Sequence, residues 1–184
     1  MIVLASNSPR RKEICALLDL LVTVIPARHE EAPDPSLSPE NAVMRVARAK
    51  AAEVFASCPD ALVIGADTAV LLENTFLGKP RDEADAARML RALSGRQHRV
   101  LTGVALLSRE KEDVFCESAS VWFRRLAEEE IRAYIASGEP MDKAGAYGIQ
   151  GRGAKFVSRI DGDFYTVMGL PCAALYERLQ SFRK

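Results

Sequence analysis

Apolar residues along the chain fall into short runs alternating with helical-period stripes, and this alternation sets the expected order of elements. Residues 2–5 form a continuous apolar run of strand length. Ser8-Pro9 follows, a pairing that opens a helix with Ser as N-cap and Pro at the first helical position. Ile14, Leu17, Leu18 and Leu21 supply the helical period behind it. Residues 21–25 are apolar and β-branched, which predicts a second strand. Residues 27–39 carry Pro33, Pro35 and Pro39 among several acids and predict a loop. Ser38-Pro39-Glu40 then opens a helix running to about Ala56. Residues 61–64 predict a buried strand ending at Gly65-Ala66-Asp67-Thr68, with residues 70–72 as a candidate continuation.

The second half has the same texture. Residues 82–93 are helical in period and close at Ser94-Gly95, where glycine can serve as a C-terminal cap. Residues 100–107 and 114–123 read as two long strands. Leu126-Ala-Glu-Glu-Glu opens a helix to about Ala136, and a glycine-rich passage occupies residues 142–154. Residues 156–160 and 165–168 flank Asp161-Gly162-Asp163 and predict a hairpin. Residues 171–182 predict a closing helix. Helices interspersed with antiparallel candidates predict an α/β fold whose mixed sheet is flanked by helices. No repeat, low-complexity tract or linker divides the 184 residues, so one domain over 1–184 is expected, with two lobes around a cleft.

Charge narrows the partners. Lys and Arg number 25, as do Asp and Glu, so no global cationic field recruits nucleic acid or membrane. A phosphate ligand would need a local cluster of positive charge. Cys15, Cys58, Cys116 and Cys172 form no CxxC pair, which argues against a thiolate zinc site. Neither a secretory signal nor a run of about 20 apolar residues is evident, so a reduced cytoplasmic protein is expected.

Five places carry candidate chemistry. Ser6-Asn7-Ser8-Pro9-Arg10-Arg11 sets hydroxyls, free backbone N–H groups and two guanidinium groups at a strand-to-helix junction. Such a junction attracts anions, and arginine adds bidentate recognition of phosphate oxygens. The same residues would equally make a capped helix with solvated arginines. Lys50 falls on the apolar stripe of Val43, Ala47 and Val54. It either snorkels at the helix edge or points into a cleft holding phosphates or a carboxylate. Asp67 follows an apolar strand, and ligands in α/β sheets bind beyond the carboxyl ends of strands. It is a turn residue, or a group that binds Mg2+ or takes a proton from water.

Lys79 sits in Leu77-Gly78-Lys79-Pro80, where Pro80 excludes a Walker loop. Gly145, Gly148, Gly151 and Gly153 either bring the backbone close to a ligand or form a structural loop. Gln150 among them can both donate and accept hydrogen bonds, as base recognition requires. Glu30 and Glu31 are solvated loop acids unless their loop returns to Asp67. His29 and His98 read as surface or capping residues, and Trp122 as core or sheet surface.

Taken in order, these segments resemble the Maf family of nucleotide pyrophosphatases, also called septum-formation inhibitor proteins. The resemblance rests on Leu4-Ala-Ser-Asn-Ser-Pro-Arg-Arg11, Gly65-Ala-Asp-Thr68, Gly78-Lys-Pro80 and Leu93-Ser-Gly95 with His98 and Thr102-Gly103. Glu139-Pro140, Asp142-Lys-Ala-Gly-Ala-Tyr-Gly-Ile-Gln150 and Val167-Met-Gly-Leu-Pro171 complete it across nearly the whole chain.

The resemblance implies a fold similar to inosine triphosphate pyrophosphatase, a divalent metal (Mg2+ or Mn2+) and a homodimer. It implies cleavage of a nucleoside triphosphate to monophosphate and pyrophosphate. Asp67 would be the proton acceptor and a metal ligand. Ser6, Arg10, Arg11, Lys50 and Lys79 would engage phosphates. Glu31 would help hold the metal, with Glu30 as the adjacent alternative. The Tyr147-Gly-Ile-Gln150 sequence resembles the branch that acts on dTTP and UTP, including modified pyrimidine triphosphates. Arg11, Thr68 and Gln150 would then set substrate choice. A different class of function, a nucleotide-binding regulator of septum formation with little turnover, shares every binding residue. A purely structural α/β module would leave these polar motifs without a task.

Overall fold

Eleven residues, Leu62–Leu72, form one strand (β3) around which the sheet is built. The structure is a computed structural model and describes residues 1–28 and 32–182. His29, Glu30 and Glu31 lie outside the described residues. Before β3 come β1 (Ile2–Leu4), α1 (Pro9–Leu17), β2 (Val22–Val24) and α2 (Pro39–Ser57). After it come β4 (Thr75–Leu77), α3 (Glu83–Leu93), β5 (Gln97–Leu107), β6 (Glu112–Phe123) and α4 (Glu128–Ile135). Three short 3-10 turns at Glu139–Asp142, Ala144–Ala146 and Arg152–Phe156 follow, then β7 (Val157–Asp161), α5 (Phe164–Met168) and α6 (Cys172–Gln180).

The sheet is mixed, with strand order β2-β1-β3-β5-β6-β7 and β4 paired to β3. β1 lies parallel to both β2 and β3, while β5, β6 and β7 form an antiparallel meander on the other side. α2 covers one face, where Ala47, Ala51 and Val54 meet Val3, Val63 and Ala105. The opposite face carries the larger core, to which Ile14 of α1, Leu90 of α3, Ile131 of α4, Met168 of α5 and Leu175 of α6 contribute.

β3 is where expectation and structure part most usefully. The segment 65–68 does not end the strand; it is the strand's middle. β3 pairs with β5 without a break from Val63 to Leu71, so the ladder carries Gly65-Ala66-Asp67-Thr68 as ordinary rungs. Gly65 marks a close approach instead of a turn: a Cβ there would overlap the Ala47 carbonyl and sit 2.7 Å from Ala51 Cβ. The true ending belongs to a neighbour. β1 pairs with β3 only as far as Leu4 opposite Ile64, and β4 takes over the same edge at Leu77 opposite Val70. Between them, residues 65–69 face no strand on that edge among the described residues.

Three other expectations are corrected. Residues 165–168 are not the second arm of a hairpin. Asp163 accepts from the Thr166 N–H (2.6 Å) and from its hydroxyl (2.8 Å), and this cap turns the segment into α5. Leu17 and Leu21 are exposed; the chain turns at Asp19 with positive φ, which sends Leu20 inward instead. His98 is neither surface nor cap, because β5 begins three residues earlier than expected and buries it. Trp122 is on the sheet surface, with the Arg159 guanidinium 4.7 Å above its ring. Among the described residues no helix is long and apolar enough to cross a membrane.

Candidate active site

The open stretch of β3 becomes one wall of a cleft of about 530 Å3. Alternation along a strand sends neighbours to opposite faces. Asp67 therefore points with Val63 and Ala69 toward α2, while Thr68 points with Ala66 and Val70 toward the other layer. Because the edge is open here, the cleft reaches both faces, and Asp67 and Thr68 both line it. Ser6 to Arg11, Lys50, Lys79, Gln150 and Gly169 line it as well. Five cations (Arg10, Arg11, Lys50, Lys79, Lys143) face two carboxylates (Asp67, Asp142) among the described lining residues, so a neutral chain holds a locally positive site.

On the α2 face, Lys50 does not snorkel. Its ammonium donates to Asp67 Oδ1 at 2.7 Å, and both side chains are mostly buried. The sheet-facing stripe of α2 delivers the lysine to the one rung of β3 that carries a carboxylate.

On the other face, Arg11 is held by three hydrogen bonds from three different nitrogens. Nε donates to the Gly169 carbonyl (2.8 Å), Nη1 to Ser6 Oγ (3.0 Å) and Nη2 to Thr68 Oγ1 (3.1 Å). Burial lowers its pKa to about 10, opposed by the field of Asp67, so it stays a cation at neutral pH. Ser6 Oγ also accepts from the Ser8 N–H at 3.2 Å. With two acceptor sites filled, the Ser6 hydroxyl proton remains for a ligand oxygen. Arg10 reaches the Met168 carbonyl at 3.4 Å and lies 4.0 Å from Asp142.

The glycine-rich passage forms the far wall, and residues missed by pattern reading hold it. Glu139 accepts from the Tyr134 hydroxyl (2.9 Å) and from the N–H groups of Arg152 (2.9 Å) and Gly153 (3.3 Å). The Gly148 N–H donates to the Tyr134 oxygen at 3.1 Å. Gly145, in the left-handed region, packs its Cα onto Val70 of β3 and donates to the Gly78 carbonyl at 3.1 Å. Gln150 is exposed at the end of this passage. Glu139 was visible in sequence only as an acid before a proline; two of its three donors are backbone N–H groups, which leave no side-chain pattern.

Beneath Tyr147 lies His98, whose Nε2 is 2.8 Å from the tyrosine hydroxyl and whose Nδ1 has no hydrogen-bond partner among the described residues. Burial lowers the His98 pKa from 6.5 to about 4. A depressed pKa stabilises the fold fully above pH 6.5, and that contribution is lost as pH falls toward 4. The shift corresponds to at most about 3 kcal/mol. Urea unfolding at pH 7 and pH 4.5 should therefore show a smaller acid loss for His98→Gln than for the native chain. Equal losses would show that His98 is not the proton-binding group.

A divalent cation can be tested against the donors present. Asp67 Oδ1 is taken by Lys50, which leaves Oδ2 as a hard oxygen donor facing the cleft. Among the described residues no cluster of three or more His, Cys, Asp or Glu is preformed. Mg2+ is commonly held by one or two carboxylates together with substrate phosphates, and Asp67 could supply one such carboxylate. Glu31, the other expected ligand, lies outside the described residues.

The family model described as Maf-like protein matches residues 1–182. The chain belongs to the Maf family. Among curated Maf relatives, a dTTP/UTP pyrophosphatase of Bacillus velezensis is 50% identical over 181 residues, covering 98% of this chain and 96% of its own. A protein of the same name from Aquifex aeolicus is 50% identical over 179 residues, covering 97% and 94%. Among solved structures, the Ham1 protein of Staphylococcus aureus has a TM-score of 0.52 at 14% identity, covering 100% of this chain and 99% of that one. The Maf chain thus shares the Ham1 fold.

Proposed function

We propose that this chain hydrolyses dTTP and UTP to the monophosphate and pyrophosphate. The observation that carries the reading is the Lys50–Asp67 pair set on the open edge of β3, within a cleft whose described lining carries more cations than carboxylates. Maf relatives about 50% identical over nearly their full length are named for this activity, which supports the substrate assignment.

The chain's own residues suggest the division of labour. Asp67 takes the proton from a water attacking the α-phosphorus, and its oriented carboxylate is fixed by Lys50. The Ser6 hydroxyl and the α1 end donate to phosphate oxygens, with Arg10, Arg11, Lys50 and Lys79 balancing charge that builds on the leaving pyrophosphate. Arg11 and Thr68 face the same side of the sheet as the Gln150 segment, which suits them to selecting the base. Asp67 and Glu31 would hold the divalent cation (Mg2+ or Mn2+). When bound, such a cation neutralises triphosphate charge and lowers the pKa of water. On this reading the protein works in the cytoplasm as a homodimer, which sedimentation would report.

Incubation of the purified protein with Mg2+ or Mn2+ and each common or modified triphosphate, followed by assay of pyrophosphate, tests the proposal. Pyrophosphate from dTTP and UTP is expected. Release of inorganic phosphate instead would mean that a different bond is cut. Tight binding without turnover would return the regulator of septum formation.

A further inference from the structure

Discriminating uracil and thymine from cytosine is a question of proton placement. Uracil and thymine present an N–H at ring position 3, whereas cytosine presents a lone pair there. A glutamine amide cannot make this distinction alone. Its oxygen and nitrogen exchange places by rotation, so Gln150 can match either base. A hydroxyl is equally ambivalent, unless something fixes its proton.

Something does so for Thr68. Thr68 on β3 and Thr102 on β5 are directly paired across the ladder, and their hydroxyl oxygens are 2.9 Å apart. Thr102 is fully buried, and its hydroxyl donates to the Thr166 carbonyl at 2.8 Å. A carbonyl only accepts, so the single Thr102 proton is committed there. The hydrogen bond between the threonines must then run from Thr68 to Thr102. On its other side Thr68 accepts from Arg11 Nη2 at 3.1 Å. Arg11 cannot accept, so the polarity of the whole chain is fixed: Arg11 to Thr68 to Thr102 to the Thr166 carbonyl. The proton of Thr68 faces Thr102, and one lone pair is left on a residue that lines the cleft.

We infer that Thr102 is a positioning residue that locks Thr68 as a hydrogen-bond acceptor and so makes the site choose a base with an N–H over one with a lone pair. The inference rests on the proposed nucleotide substrate and assigns its base chemistry. The Thr166 carbonyl is in turn held by α5, whose N-cap Asp163 binds both the N–H and the hydroxyl of Thr166. The acceptor is thus preorganised by framework groups that need not touch the substrate.

The test compares kcat/KM for UTP, CTP, dTTP and dCTP in the native protein and in Thr102→Val and Thr102→Ser. Thr102→Val removes the hydroxyl that receives the Thr68 proton and frees that proton to turn toward the cleft. The uracil-to-cytosine preference should fall about tenfold or more, chiefly through a lower KM for CTP and dCTP. Thr102→Ser keeps the hydroxyl and should keep the native preference. An equal loss on all four triphosphates, or a shift separating ribose from deoxyribose, would overturn the inference. If Thr102→Val does not fold, Thr68→Val serves: it should weaken UTP and dTTP while sparing CTP, and equal weakening would overturn the idea. Should the native protein release no pyrophosphate, calorimetry with UMP and CMP separates the two claims. Preference for UMP that Thr102→Val erases would keep the base assignment and sink the activity; indifference would sink both.

Discussion

Asp67→Asn is expected to cut pyrophosphate release by about 100- to 10,000-fold, the usual span for losing a positioned general base. The fold should survive the change. Asp67 is an ordinary rung in a ladder with β5, and Asn has nearly the same shape. The amide oxygen can still accept from Lys50, which sits 2.7 Å from Oδ1 in the native chain. What disappears is the negative charge and, with it, the proposed proton acceptor and cation ligand. Lys50 then keeps only a neutral acceptor in a mostly buried setting, so stability should fall by up to about 3 kcal/mol. Single-turnover kinetics and calorimetry on one preparation would measure both. Near-native turnover by this variant would remove Asp67 from the chemistry.

Gly65→Ala should do the reverse, and damage the fold first. The backbone at Gly65 needs no special φ; the obstacle is space. An added Cβ would lie 2.7 Å from Ala51 Cβ and 2.8 Å from Ala51 N, and would overlap the Ala47 carbonyl. Those atoms are largely helix backbone, which cannot swing aside like the end of a lysine. α2 must move away from the sheet as a body, at a cost of about 2–4 kcal/mol. That motion carries Lys50 with it, so activity should drop through the Lys50–Asp67 pair as well. Gly103 tells the same story on β5, where a Cβ would come within 2.6 Å of the Val43 carbonyl. Gly78→Ala is the control, because nothing lies within 4 Å of its added Cβ, and its melting temperature should barely change. If Gly65→Ala melts like Gly78→Ala, α2 is not seated on β3 as described.

These two glycines show what sequence could and could not convey. Periodicity located β1, α1, α2, α3, β5, β6 and α6 because each buries an apolar face of its own. It misread Gly65 as a strand terminator, since a glycine allowing a turn and a glycine admitting a helix look alike in a single sequence. β4 escaped notice because three residues carry no period, and its turn passes through Glu73 with positive φ instead of through a glycine. Phe164, Tyr165 and Val167 have strand character, but Asp163 two places past a strand end is also an N-cap, and the cap won. For the candidate site, Ser6, Arg10, Arg11, Lys50, Asp67, Thr68, Lys79 and Gln150 all line one cleft. Residue types could suggest that set. Pattern could not supply the supporting roles: Thr102 and His98 act through partners far away in sequence, and Glu139 largely through backbone N–H groups. Their traces were membership in the motifs that carry the resemblance and, for Thr102, a polar residue between Val100 and Val104 on a buried face.

The gap in the β3 edge also bears on what the protein refuses. An exposed strand edge normally invites another chain to pair with it, the first step in both peptide capture and aggregation. Here the opening spans only residues 65–69, stopped by β1 at one end and β4 at the other. Main-chain groups alternate in direction, so two rungs, Ala66 and Thr68, point into it. Strands usually run to about five or six residues, and an incoming one would collide with β1 or β4 before it could register. The same break that opens the cleft to both faces of the sheet is thus too short to be read as an edge by a neighbouring polypeptide.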